Sequence, residues 1–217
     1  MILDTLSEAF WSLIEFKAPI IKVLTAPFIL LVIFSLFEFF YTDKIPLTIS
    51  LAVPFLIGMT AAITIHRIIL VGERSVSISR LFKLNKRNIK FISSGIVVIL
   101  LIVPLLFLSV IPLFGKPLTL LIIFYFFSRF SLVFPAIASD NSISFMQSWK
   151  ATNSFKTQQL VLIVGIILTT LIAIGFLIQA IPGVGWLASL VVFIMLIYMS
   201  AVLSIVYKNI VKLGHIP

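Results

Sequence analysis

The stretch FISSGIVVILLIVPLLFLSVIPL, Phe91 to Leu113, holds no Asp, Glu, Lys or Arg. A helix needs about 20 mainly apolar residues to cross a hydrocarbon layer, and this run supplies them. Its Ile, Leu, Val and Phe follow one another without the alternation that a strand of a membrane barrel requires. Pro104 sits inside the run. Proline breaks a helix in water, whereas neighbouring helices in a membrane bundle absorb the lost bond, so the residue predicts a kink and not an end.

Five further runs of the same kind lie on either side. The expected spans are 20–41, 47–69, 91–113, 118–136, 159–181 and 186–207. Lys22 and Glu38 flank the core of the first, Pro54 and Gly58 interrupt the second, and Arg129 and Pro135 lie in the fourth. Thr42 to Pro46, Phe114 to Pro117 and Pro182 to Gly185 make short turns. The fold class is therefore all-α: a polytopic membrane helix bundle, a single integral domain over residues 1–217 with six transmembrane helices.

Composition agrees. Of 217 residues 61% are hydrophobic and 11% charged, against about 45–50% and 25% in soluble domains, and the mean hydropathy is +1.27. Water-soluble enzyme folds are nearly excluded. The net charge of +9 comes from 16 Lys and Arg against 7 Asp and Glu. The basic residues lie between apolar runs, which points to anionic phospholipids and not to nucleic acid. There is no cysteine, which removes disulfide and thiolate chemistry. Asp4, Glu8 and Glu15 stand where a secretory signal would carry basic residues.

Six spans place both termini on one side. All the basic residues between or beside the spans fall on that side except Lys44 and Lys116. The positive-inside rule makes it the cytoplasmic side. A five-span arrangement separates the termini and weakens this asymmetry.

The outer turns share Ile-Pro at Ile45-Pro46, Ile111-Pro112 and Ile181-Pro182. Among the inner segments, Ser77-Ile78-Ser79 and Ser142-Ile143-Ser144 match at the same offset as Asn88 and Asn153. The expected organisation is three hairpin repeats, each preceded by a cytoplasmic interfacial amphipathic helix. In residues 78–90, Ile78, Leu81, Phe82 and Ile89 form one stripe and Arg80, Lys83, Lys86, Arg87 and Lys90 the other. That is the pattern of a helix lying among headgroups, where each cation is worth about 1 kcal/mol. The same loop also serves simply to fix topology. In residues 2–16, Ile2, Leu6, Ala9, Phe10, Leu13 and Ile14 oppose Asp4, Glu8 and Glu15. Those acids either meet the basic stretch around Arg80, Lys83 and Arg87 or remain solvated. In residues 142–156, Phe145, Met146 and Trp149 form the apolar side, with Trp149 a candidate interface anchor.

Chemistry-bearing patterns are sparse. His66 and His215 have no metal-ligand companions at helical spacing. No carboxylate lies near a span midpoint, where a proton relay or cation path normally needs one. Arg67 ends the second span. Arg129 lies about a dozen residues into the fourth, and a lone Arg at depth costs from about 3 to more than 10 kcal/mol. It either holds a lipid phosphate, snorkels, or bonds the carbonyls freed by Pro135. The candidate lipid-headgroup or anion contacts are Arg67, Arg80, Lys83, Lys86, Arg87, Lys90 and Arg129. No catalytic residue, metal ligand or cofactor is expected.

The segments Arg129-Phe-Ser-Leu-Val-Phe-Pro-Ala and Ser148-Trp-Lys-Ala-Thr-Asn153 resemble a paired pattern in bacterial multi-span proteins similar to the YciC-like group. The same pattern occurs in the membrane domain attached to some glycerophosphodiester phosphodiesterases. The segment His66 to Glu73 also resembles a motif of uncharacterised inner-membrane proteins of this type. The resemblance implies a six-helix bacterial inner-membrane protein with interfacial helices and no particular activity.

The expectation is thus a non-enzymatic inner-membrane protein, structural or regulatory, contacting anionic lipid, a membrane protein partner or a second copy. One rival is a small permease with a cavity along Pro54, Gly58 and Pro104. Another is a lipid-directed enzyme, for which only His66 and Glu73 lie near the headgroups.

Overall fold

The computed structural model describes residues 2–41, 44–77, 85–111, 115–141, 143–153, 170, 174, 177–178 and 187–212. Every regular element among them is helical. In chain order these are α1 (Ile2–Glu15), α2 (Lys17–Phe40), α3 (Leu47–Val71), α4 (Lys86–Ile102), α5 (Gly115–Phe130), α6 (Val133–Ala138), α7 (Phe145–Ala151) and α8 (Leu187–Lys212). A 3₁₀ segment, Val103–Val110, continues α4. Five stretches are long and apolar enough to cross a membrane: Lys17–Phe40, Leu47–Val71, Lys86–Val110, Gly115–Ala138 and Leu187–Lys212. The architecture is that of a multi-pass helical membrane protein. The expected span 159–181 and the second and third Ile-Pro turns fall wholly or partly outside the described residues, as do Arg80 and Lys83.

The prolines act as their chemistry requires. Pro135 has no N–H to offer the carbonyl of Ser131, and its ring crowds that carbonyl. The fourth long helix accordingly breaks at Ser131–Leu132, where Phe134 reaches back only three residues to Ser131 at 3.3 Å. Pro104 marks the change from α-helix to the tighter 3₁₀ winding at Val103. Pro27 and Pro54 remain inside α2 and α3. The basic stretch is divided differently from the expectation. Asn85 caps α4 by accepting the Asn88 N–H at 2.8 Å, so Lys86, Arg87 and Lys90 begin a membrane helix and do not end a separate interfacial one. The matched asparagines also differ: Asn88 lies in the first turn of α4, whereas Asn153 follows α7.

Helix α3 is the centre, packed by α2, α4, α6 and α8. It runs parallel to α8. Gly58 lies against Leu196, and eight residues on in both helices His66 bonds Ser204. The core is concentrated at the C-terminal ends of these two helices: Ile57 to Ile68 of α3 and Met199 to Tyr207 of α8 are largely buried, and α6 is buried throughout. Helix α2 buries one stripe, Ile20, Val23, Leu24, Pro27, Leu31 and Ser35, and leaves Ile29, Ile33 and Phe37 exposed. Exposed Leu100, Phe107 and Val110 give the α4 stretch the same outward apolar surface. In a bilayer these faces meet acyl chains.

Helix α1 packs on α8. At about 100° per residue it has three sectors. Leu6, Ala9 and Leu13 face the bundle core, Leu3, Phe10 and Ile14 are exposed and apolar, and Asp4, Glu8 and Glu15 share the third. Tyr198 of α8 donates to the Leu6 carbonyl at 3.3 Å. An acidic helix is thus held at the bundle by protein packing, with no need for attraction to anionic lipid.

Close backbone approach sets one glycine. A Cβ on Gly115 would collide with the carbonyl oxygen of Leu108 in the 3₁₀ segment, whereas a Cβ on Gly58 would meet only the end of the Leu196 side chain at 3.2 Å. Gly115→Ala should therefore lower stability by about 1–3 kcal/mol, and Gly58→Ala by clearly less. Thermal unfolding in nanodiscs checks the order, and equal losses would contradict this packing.

Candidate functional site

Three arginines, in two groups, anchor the end of the bundle where the core is concentrated. Arg129, the penultimate residue of α5, is 4% exposed. Its Nη1 donates to the Thr152 carbonyl. Its Nη2 donates to the Tyr125 hydroxyl at 3.1 Å and to Asn153 Oδ1 at 3.2 Å. The guanidinium lies 5.0 Å from the centre of the Tyr125 ring and 5.2 Å from that of Trp149, the distance range of cation–π attraction. In return Ser148 Oγ donates to the Arg129 carbonyl at 2.7 Å. The partners are neutral oxygens and aromatic faces, and one is a carbonyl at the negative end of α7.

The local sequence makes α7 available for this. Ser144 and Gln147 form a capping box that starts the helix. Phe145 packs on Phe130, and Trp149 on Tyr125, Phe126 and Phe130, with ring centres 5.4–5.7 Å apart. The segment expected as a third interfacial helix is therefore laid back along α5. The paired motif quoted above is one contact: Arg129 on one side, Ser148, Trp149, Thr152 and Asn153 on the other.

The second group joins α3, α4 and the turn after α6. Arg67 Nη1 donates to Asp140 Oδ2 at 2.9 Å and to the Ala138 carbonyl at 2.7 Å. Arg87 Nη1 donates to Asp140 Oδ1 at 2.8 Å. Asp140 has φ +62°, in the left-handed region that Asp visits more readily than most residues. Burial works to raise the Asp140 pKa. Hydrogen bonds from Arg87 and Arg67 and the two positive charges outweigh it and hold the carboxyl below the usual carboxylate range. Arg87 is thus paired with Asp140 and not with Glu8. Lys86 and Lys90 are exposed on the same end of α4.

His66 Nδ1 and Ser204 Oγ lie 2.8 Å apart, and Ser204 Oγ donates to the Ser200 carbonyl at 2.8 Å. The spent hydroxyl proton makes Ser204 the acceptor and puts the ring proton on Nδ1. The pair resembles a base and nucleophile, yet both residues are at most 1% exposed and, among the described residues, no carboxylate bonds either of them. It works as interhelical polar glue. Glu73 lies apart from it, exposed on the 3₁₀ turn after α3. Pro54 and Gly58 line a cavity of about 200 Å³ with Leu31, Phe193 and Leu196; Pro104 is not among its walls. Among the described residues no group of His, Asp and Glu is placed to hold a metal.

The sequence pointed to Arg67, Arg87, Arg129 and Trp149 but not to their partners. Asp140 carried one signal: it and Glu73 are the acids of the long basic-side loops.

Two outcomes follow from these geometries. Arg129→Lys keeps the charge but loses the planar fork; the protein should lose about 2 kcal/mol, and an unchanged unfolding midpoint would contradict the clasp. A lowered folded-state pKa at Asp140 adds stability above its unfolded value of about 3.9, and that stability fades as pH falls through the lowered pKa. Acid unfolding should therefore be steeper for the wild type than for Asp140→Asn below about pH 4, and superimposable profiles would refute the assignment.

Comparison with known protein families, with curated proteins and with solved structures finds no match for this chain.

Proposed function

We propose that this chain is a non-enzymatic bacterial inner-membrane protein that crosses the bilayer six times as three hairpins, with both termini in the cytoplasm. Its role in the envelope is structural or regulatory, exercised through anionic phospholipid or a membrane partner. The resemblance to the YciC-like group belongs to the same reading.

The observation that carries it is the placing of charge on the bundle. Helices α3 and α8 are parallel and in register at His66–Ser204, so Arg67, Arg74, Lys208 and Lys212 share one end. Asp140 ties Arg87 and the first turn of α4 to that end. Lys22 lines a groove there with Glu73 and Arg74. Lys44 and Lys116 begin or precede helices at the opposite end. A cationic ring facing an anionic leaflet is favoured by about 1 kcal/mol per residue.

Parity supports the sixth crossing. Asp140 is at the basic end, Leu187 begins α8 at the other, and α8 runs parallel to α3, the direction that six crossings require. Five crossings would set α8 antiparallel to α3.

The test is native mass spectrometry from nanodiscs holding equal phosphatidylcholine and phosphatidylglycerol. The wild type should retain phosphatidylglycerol preferentially, and the triple variant Arg74→Gln, Lys86→Gln, Lys90→Gln should lose most of that preference. Equal retention of both lipids by the wild type would overturn the reading.

A further inference from the structure

The group at Arg67, Arg87 and Asp140 has more donors than acceptors. Asp140 supplies two carboxylate oxygens and takes one bond from each arginine. The Nε atoms of both Arg67 and Arg87 are buried with no hydrogen-bond partner among the described residues. A buried, unmet donor of this kind costs about 1–3 kcal/mol. The three side chains together carry +1, and Lys86 and Lys90 lie on the adjoining turns of α4.

The acid is the movable member. The Arg67 and Arg87 side chains are 12% and 27% exposed and grow from long helices, whereas Asp140 is 57% exposed and sits on a turn. Its left-handed backbone is one that a non-glycine residue leaves readily once its contacts are lost. A tetrahedral phosphate differs from a carboxylate in the property that matters here. Its oxygens, all free in the inorganic ion and partly esterified in a phospholipid, are set tetrahedrally and not in one plane, so two guanidiniums can approach it from different directions.

We propose that the Arg67–Arg87 pair is a phosphate site whose resident occupant is Asp140. A phosphate group, from an anionic phospholipid or free in solution, displaces the carboxylate and engages both guanidiniums. Displacement releases the turn that joins α6 to α7, so occupancy is coupled to how tightly α7 is held. The proposal rests on the reading that the basic end meets anionic lipid, and narrows it to one exchangeable site.

The experiment uses the full chain in nanodiscs, as wild type, Asp140→Asn and Arg87→Gln. One arm titrates inorganic phosphate into phosphatidylcholine discs. The other replaces part of the phosphatidylcholine with phosphatidylglycerol and contains no inorganic phosphate. Thermal unfolding is read in both. Asp140→Asn removes the internal competitor, so it should start less stable and be restored at about one tenth of the ligand the wild type needs. Arg87→Gln should respond to neither. Restoration by inorganic phosphate assigns the site to the free ion, and restoration by phosphatidylglycerol alone assigns it to a headgroup.

The proposal is overturned if Asp140→Asn responds no more strongly than the wild type in either arm, or if Arg87→Gln responds as the wild type does. If Asp140→Asn does not fold, retention of phosphatidylglycerol by the wild type and Arg87→Gln decides. Equal preferential retention overturns this site and leaves the broader lipid reading standing; a wild type without preference overturns both.

Discussion

A peptide group carried into hydrocarbon finds no water, and every unmet N–H or C=O there costs several kcal/mol. The helix is the one continuous way for a single segment to meet all of them. The long helices, their outward Ile, Leu and Phe, and the polar atoms that turn back onto their own backbone follow from this. Thr64 donates to the Thr60 carbonyl, Ser128 to Phe124 and Ser200 to Leu196, each within one turn. The prolines are tolerated on the same terms. Where Pro135 removes a bond, the chain tightens for one turn and resumes as α6, and α3, α4 and α8 cover the resulting short helix.

Charge obeys the same rule at greater cost. Arg129 is buried, and its two Nη atoms meet a carbonyl, a hydroxyl and an amide oxygen while aromatic rings cover the guanidinium, whereas its Nε has no hydrogen-bond partner among the described residues. Its binding of α7 gives the quoted motif a physical role in packing. Arg67 and Arg87 instead share a carboxylate at the rim. These clasps, with the His66–Ser204 bond, fall at the end where α3 and α8 are most buried. Polar specificity and apolar packing therefore coincide there.

Much of this was legible in the sequence. The five long helices coincide with five of the six apolar runs, because length and lack of charge are local properties. Element boundaries were less legible. The basic stripe of residues 78–90 has amphipathic spacing, yet Asn85 caps a helix in the middle of it, a signal present in the sequence but weaker than the periodicity. Partners were the least legible. Arg87 and Asp140 are 53 residues apart, and Arg67 and Asp140 73. No periodicity reports a contact made only when three helices converge. Arg129 lies nearer its partners, and both halves of that contact stood in the quoted motif without showing that they touch. The acidic face of α1 invited a pairing with the basic loop, whereas its docking comes from Leu6, Ala9 and Leu13 against the core.

The central claim is that the ends of α3, α8 and the start of α4 lie together on the inner leaflet. The absence of native cysteine allows a direct check, because each introduced thiol is unique. Single cysteines at Arg74, Lys86 and Lys212, and at Lys44 and Lys116, would be labelled with a membrane-impermeant maleimide in intact cells and again after permeabilisation. The account predicts that the first three react only after permeabilisation and the last two react in both. Labelling of Lys86→Cys in intact cells, or different sides for Lys86→Cys and Lys212→Cys, would contradict it.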